Sequence, residues 1–336
     1  MQNNVVISVI MSVYNASEYL VECMDSIINQ TFDRFEFIII DDCSTDNTCA
    51  MIEAYKDPRI RLYKNEVNEG LTRNLNKAIA LSNGKYIARM DADDISLPKR
   101  FERQYEFMEK NPDVGLCGTW YEIFGDYEKV VQYKTDHDEI VLKLLYQTQF
   151  SHPSVMMRKE VLDRFNIKYN TDYTTAQDYE LWPRMTMVCR VTNVPEVLLR
   201  YRFHSENIST KKKDIQNANA LKIRLNHFKN LGVSDITPEE IEAYIGLMHQ
   251  EYASLIPKYK VVESLLWRMV VGNASTKMVS EPVFNKHIAE TWYHYNYNTL
   301  GKPGAASFGG FLSSGLTKKY FNLPWIVKAR VKSFVN

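Results

Sequence analysis

The sequence predicts an α/β fold: a mostly parallel sheet flanked by helices, followed by a C-terminal helical extension. Three observations predict it. Between residues 5 and about 120, short Val- and Ile-rich runs alternate with amphipathic helical patterns. Repeated β-then-α order requires crossover connections, which set consecutive strands parallel. After about residue 210 the composition shifts, and Thr237-Pro238-Glu239-Glu240 supplies a cap, a proline at the first helical position and a glutamate two positions later.

Residues 5–13 read as a buried strand bounded by asparagine. Ser17 is placed to cap a helix whose Leu20, Met24, Ile27 and Ile28 share one face. Residues 35–40 form the second strand, and Ser44-Thr45-Asp46 is a polar turn opening a helix that runs to Tyr55. Residues 60–63 are the third strand. Leu71, Leu75, Ala78 and Ile79 mark a helix that Asn83-Gly84 stops before the fourth strand at 86–90. From 120 to 210 the pattern is less regular. Lys211-Lys212-Lys213 reads as a solvated hinge, and Ile241, Tyr244, Ile245 and Met248 as a buried helical stripe. The expected division is therefore 1–210 and 211–336.

The chain has 336 residues, 45% of them apolar, enough for a large core. Its 41 basic and 41 acidic residues cancel, so no net field favours nucleic acid. Five cysteines without C-x-x-C or His/Cys spacing read as reduced thiols, not as a disulfide frame or a zinc site. The first apolar run is too short to cross a bilayer and carries Ser8 and Ser12. The expectation is a soluble cytoplasmic protein. The stretch past Glu290 carries Lys302, Lys318, Lys319, Lys328, Arg330 and Lys332 among Phe321, Trp325 and Phe334. Two readings of this basic, aromatic tail stay open: contact with an anionic membrane at the inner face of the plasma membrane, or a solvated end packed on the protein.

Asp91-Ala92-Asp93-Asp94 follows the fourth strand. Carboxylates at i and i+2 after a strand present two anionic oxygens at the sheet's C-terminal edge, where open α/β sheets bind ligands. Hard oxygens suit Mg²⁺ or Mn²⁺, which grip phosphate. A parallel sheet brings Ser12-Val13-Tyr14-Asn15 and Asp41-Asp42 to the same crevice. A phenol can stack on a base, a carboxylate can accept the imide N–H of uracil, and the Asp pair can hold a cation against a pyrophosphate. Together these make a nucleoside-diphosphate site. No G-x-G-x-x-G or G-x-x-x-x-G-K-[ST] is present, which disfavours a dinucleotide fold or a P-loop.

Four segments together resemble the family 2 glycosyltransferases of the GT-A fold. They are Ser8-Val9-Ile10-Met11-Ser12-Val13-Tyr14-Asn15, Ile39-Ile40-Asp41-Asp42-Cys43-Ser44-Thr45-Asp46, Asn68-Glu69-Gly70-Leu71-Thr72-Arg73-Asn74 and Met90-Asp91-Ala92-Asp93-Asp94. His152-Pro153-Ser154-Val155-Met156, Gln177-Asp178-Tyr179-Glu180-Leu181-Trp182 and Tyr201-Arg202-Phe203-His204 agree, so the resemblance covers residues 5–210. It implies that Tyr14 and Asp42 hold the base, with Asp41 nearby and Ser12 in support, and that Arg73 lies near the nucleotide. Asp93 would ligate Mn²⁺ or Mg²⁺, Asp91 would reach ribose or metal, and His204 would approach the diphosphate or metal. Asp178 would be the general base, while also suiting a helix cap. His152 would line the acceptor pocket and Trp182 would stack on a sugar.

The implied reaction is inverting transfer of a single sugar from a nucleotide-sugar, a UDP-sugar by preference, to a hydroxyl of a glycan. The implied acceptor is polyprenyl-diphosphate-linked, in surface polysaccharide biosynthesis. Two departures stand out: Cys43 occupies the usual glycine position, and Gln177 precedes the base where Glu is common. No Q-x-x-R-W segment follows and no membrane spans are present, which disfavours processive synthesis. One rival reading is a non-catalytic sugar-nucleotide-binding subunit. The other is a sugar nucleotidyltransferase, disfavoured because Tyr14-Asn15-Ala16-Ser17-Glu18 lacks Gly, Lys and Arg.

Overall fold

A computed structural model describes residues 5–204 and 212–321. Lys211 and the tail residues Trp325, Val327, Lys328, Ala329, Arg330, Val331, Lys332 and Phe334 lie outside the described residues. The chain divides into two compact units, Met1–Ile223 and Arg224–Asn336. The first unit extends past 210 because Ala220 and Ile223 belong to its core and Asn219 donates to the Thr175 carbonyl.

Strand β1 (Ile7–Val13) lies between β2 (Phe35–Asp41) and β4 (Tyr86–Arg89), parallel to both, and β3 (Ile60–Lys64) extends the parallel run beyond β2. Strand alternation with both faces covered explains why β1 and β2 are largely apolar, their buried Ser8 and Glu36 being paired with each other at 2.6 Å. Ile10, Ile38, Ile40 and Ile87 point to one core, beneath Leu75, Ala78 and Ile79 of α3 (Leu71–Leu81). Val9, Met11, Phe37, Ile39 and Ala88 point to the other, against Leu20, Met24 and Ile27 of α1 (Leu20–Ile28). Each fully buried Ile or Met side chain contributes roughly 1.5–3 kcal/mol.

Beyond β4 the pairing becomes mixed. Strand β8 (Met156–Arg158) is antiparallel to β4 and to β6 (Val114–Gly125). Strand β9 (Arg190–Phe203) runs parallel to β6 through three register shifts. The short strands β5 (Ile95–Ser96) and β7 (Lys129–Val131) pair antiparallel with β9 and β6 respectively. Two buried side chains of α4 (Arg100–Lys110) pin this half to the parallel half. Arg100 donates to the Arg89 carbonyl at 2.8 Å, and Gln104 donates to the carbonyls of Ser154 and Cys117 at 2.9 and 3.2 Å. The end of β4 and the 151–155 segment are thereby fixed side by side.

Ser17 does not cap α1; Tyr19 precedes the helix and makes no side-chain cap bond. The backbone here is tied instead to the start of α2 (Thr48–Ala54) and the loop before it, with Ala16 N–H donating to Thr48 Oγ1 at 2.8 Å and Ser17 N–H to Asp46 Oδ2 at 3.2 Å.

In the second unit Thr237 and Glu240 form the expected capping box on the helix Pro238–His249. The face that this helix buries centres on Ala243, Tyr244 and Gly246 rather than on Ile241, Ile245 and Met248, which are half-buried. Gly246 receives Leu255 where a Cβ would collide with it. Helices Tyr259–Thr276 and Glu281–Thr299 complete a core around Leu266 and Trp292. Among the described residues, no helix is long and apolar enough to cross a membrane.

Candidate active site

The C-terminal ends of β1, β2, β3 and β4 meet at one edge, as parallel pairing demands. Register places Val13 opposite Asp41 and Lys64 opposite Asp41 on its other side. Tyr14 follows β1 and is 52% exposed, an unusual state for a phenol beside an apolar strand. Asn15 turns left-handed (φ 49°), and its side-chain oxygen accepts from Thr45 N–H at 2.8 Å.

Asp42 is buried, and its carboxylate accepts from Asn65 Nδ2, Glu69 N–H and Gly70 N–H at 2.8–2.9 Å. Burial works to raise its pKa, but the Asn74 side chain together with the Glu69, Asn65 and Gly70 donors holds it below the ordinary value. These bonds shape the loop before α3, where Gly70 supplies the positive φ of 86° that lets its N–H turn inward, and the carboxylate keeps acceptor capacity beyond them. Asn74 of α3 donates to Ser12 Oγ at 3.1 Å. Asp41 is buried as well; one oxygen accepts from Ser44 N–H at 3.3 Å and the other has no protein partner. Arg73 is exposed on the first turn of α3.

Cys43 sits at φ 63°. The left-handed region costs a residue with a Cβ about 1–2 kcal/mol, whereas glycine enters it freely at a smaller entropic cost in the unfolded chain. Cys43→Gly is therefore expected to raise stability by about 0.5–1 kcal/mol, read as an upward shift of the denaturation midpoint. An unchanged or lowered midpoint would count against strain at this turn.

A cavity of about 510 Å³ opens beside this edge. Its lining includes Asp91, Asp93, His152, Asp178 and His204, brought together from four separated segments. Arg89, the last residue of β4, is almost fully buried and grips both carboxylate oxygens of Asp91 with its guanidinium. His204 Nε2 lies 3.2 Å from Asp93 Oδ2. Asp94 is fully buried; one oxygen accepts from Arg202 N–H at 2.8 Å and the other has no partner.

Asp91, Asp93 and Asp94 offer oxygens within 4.8 Å of one another. Burial, reinforced by the neighbouring acids, pushes the Asp94 carboxyl well above its ordinary value and raises Asp91 despite Arg89. Such a cluster is short of positive charge. Hard carboxylate oxygens with one imidazole fit Mg²⁺ or Mn²⁺, and Asp93 with His204 is the pair not already committed to an arginine fork.

Asp178 stands at the second position of the helix Gln177–Thr186, behind Ala176, which occupies the capping position at φ 57°. Burial raises its pKa, opposed by the Tyr179 N–H and by the Arg89 charge. His152 is nearly buried, with Nε2 2.8 Å from Tyr169 Oη, and burial holds its pKa well below the usual value, so the ring is neutral. Trp182 does not reach the cavity. One turn beyond Asp178 it is fully buried, edge-on to Phe150 at 5.4 Å and to His152 at 6.0 Å, so no sugar can stack on it.

The model of the family described as glycosyl transferase family 2 matches residues 8–165. An uncharacterized glycosyltransferase of Haemophilus influenzae is 32% identical over 288 residues, spanning 81% of this chain and 88% of its own. The chain belongs to glycosyltransferase family 2. The transferase is also 28% identical over 208 residues to the Escherichia coli enzyme named UDP-Glc:alpha-D-GlcNAc-diphosphoundecaprenol beta-1,3-glucosyltransferase WfgD, which covers 61% of this chain and 80% of that one. In fold it resembles Staphylococcus aureus TarS (residues 1–349) in complex with UDP, with a TM-score of 0.57 at 16% identity over 98% of this chain and 88% of that one.

Sequence reasoning missed three parts of the transferase's site. One is the Asn65 and Asn74 amides around Asp42 and Ser12. Another is the 174–177 turn ahead of Asp178, which also lines the cavity. The last is an aromatic wall of Tyr121, Tyr127, Tyr201 and Phe203. The i, i+2 spacing of Tyr201 and Phe203 on one strand face was the available signal for the wall.

Proposed function

We propose that the transferase moves a single sugar, with inversion, from a UDP-sugar to a hydroxyl of a polyprenyl-diphosphate-linked glycan during bacterial surface polysaccharide synthesis. The carrying observation is one cavity with the Asp91–Asp93–His204 cluster and Asp178 in its wall. In an inverting displacement the acceptor hydroxyl attacks the anomeric carbon from the face opposite the leaving diphosphate. Its proton must pass to a base on the acceptor side, and the presence of Asp178 in the cavity wall supports reading it as that base. A divalent cation held by Asp93 and His204 would supply positive charge against the departing diphosphate.

Tyr14 would stack on the base and Asp42 would accept its imide N–H, with Asp41 nearby and Ser12 in support. The UDP bound by TarS and the lipid-linked acceptor in the name of WfgD support the donor and acceptor classes.

The test is a panel of UDP-, GDP- and dTDP-sugars with Mn²⁺ and a synthetic N-acetylglucosamine diphosphate carrying an alkyl chain. UDP release coupled to product formation, with the anomeric configuration inverted by NMR, is the expected result. Binding of UDP-sugars without release would favour a non-catalytic subunit, and retained configuration would remove Asp178 from the role of base.

A further inference from the structure

We infer that the aromatic wall formed by Tyr127 and Phe203, backed by Tyr121 and Tyr201, is a platform for the apolar face of an acceptor pyranose ring. The inference rests on the reading of Asp178 as the acceptor-side base and extends it to how the acceptor is held.

The wall comes from the paired strands β6 and β9. Register sets Tyr121 opposite Leu199 and Gly125 opposite Phe203, so alternate side chains of both strands face the cavity. Tyr127 belongs to the turn after β6 and would ordinarily point into solvent. Two features hold it at the cavity. Gly125, at φ 110°, lets the backbone approach Phe203 so closely that a Cβ there would lie 2.4 Å from the Phe203 carbonyl oxygen. Asp126 N–H then donates to that oxygen at 3.4 Å. The result sets the Tyr127 and Phe203 rings 5.0 Å apart at 60°, with Tyr127 still 45% exposed.

An edge-to-face pair uses the edge of one ring and one face of the other, which leaves aromatic face at the cavity mouth. The axial C–H groups of a pyranose form a weakly positive, apolar face that suits the negative face of such a ring. The cavity also holds Asp91, Asp93 and His204, so the wall shares it with the groups assigned to the diphosphate, while the nucleoside side lies elsewhere. Tyr14, Ser12, Asp41 and Asp42, on the nucleoside side of the sheet edge, are not part of the cavity lining, whereas Asp178 and the wall are. Thr148, Ser151, Thr175 and Gln177 lie around the same space and supply hydroxyls and an amide for the sugar's edge.

The test is ligand-detected saturation-transfer NMR on the full chain saturated with UDP and Mn²⁺, using methyl glycosides of N-acetylglucosamine, glucose and galactose. At least one glycoside is expected to receive saturation on its axial ring protons. Tyr127→Ala is expected to weaken that binding about tenfold, while Tyr127→Phe keeps it. UDP affinity, measured by calorimetry, should be the same in all three proteins. Absence of transfer to every glycoside in the wild type, or equal transfer in Tyr127→Ala, overturns the platform. Weakened UDP-sugar binding in Tyr127→Ala with methyl glycoside binding intact would assign the wall to the donor, and also overturns it. Because this readout needs no turnover, it stands apart from the sugar-release assay on which the proposed function depends.

Discussion

Asp178→Asn is expected to lower kcat by roughly 10²–10⁴ while leaving UDP-sugar affinity near that of the wild type. The amide keeps the volume and the hydrogen bonding at the start of the helix Gln177–Thr186, so the fold and the donor site have no reason to change. What it lacks is an oxygen basic enough to take the acceptor proton. The pH dependence carries a second mark of the same residue. Burial raises the Asp178 pKa above its ordinary 3.8, so the carboxyl stays protonated, and idle as a base, to a higher pH than a solvated aspartate. Activity should therefore be lost as pH falls through that raised value. The acid limb of kcat/KM in the wild type should lie above the usual aspartate range, and the residual activity of Asp178→Asn should lack it. A variant that turns over normally, or one that keeps the same acid limb, would show that another group accepts the proton.

The parallel half of the fold was legible because of its physics. Strands buried on both faces must be apolar wherever no partner answers a polar group, and β1 and β2 read as such outside Ser8, Ser12, Glu36 and Asp41, while α1 and α3 showed one apolar stripe each. Asp91, Asp93 and Asp178 stood out for the complementary reason, as carboxylates next to apolar runs. Depth was not legible. Asp178 and Trp182 sit one turn apart, yet one lines the cavity and the other is buried beneath it, and helical spacing cannot separate the two. Nor could a local reading see that Asp42 would already accept three hydrogen bonds from the protein. Its donors come from residues 65–70, which meet it only after β3 pairs with β2. The aromatic wall escaped for the same reason, since Tyr121 and Tyr201 become neighbours only through the long-range pairing of β6 with β9, their rings 6.0 Å apart.

Asp93→Ala is expected to abolish the cation-dependent part of UDP binding, read by titration calorimetry with and without Mn²⁺. The alternative ligand, Asp91, is held at both oxygens by a buried arginine, and pulling it toward a cation would strand the Arg89 charge. Removing one member of a buried ion pair costs about 3–5 kcal/mol. Asp91→Ala should therefore lower the denaturation midpoint, whereas Asp93→Ala, whose carboxylate contacts the half-buried His204, should leave it nearly unchanged. That contrast makes Asp93 the cleaner probe, because a loss of binding there does not arise from unfolding. His204→Ala should weaken the Mn²⁺ effect without erasing it, since the carboxylate supplies the charge and the imidazole only one more ligand atom. Retention of the full Mn²⁺ enhancement in Asp93→Ala would place the cation on Asp94, or on Asp91 with its ion pair to Arg89 opening when the donor binds.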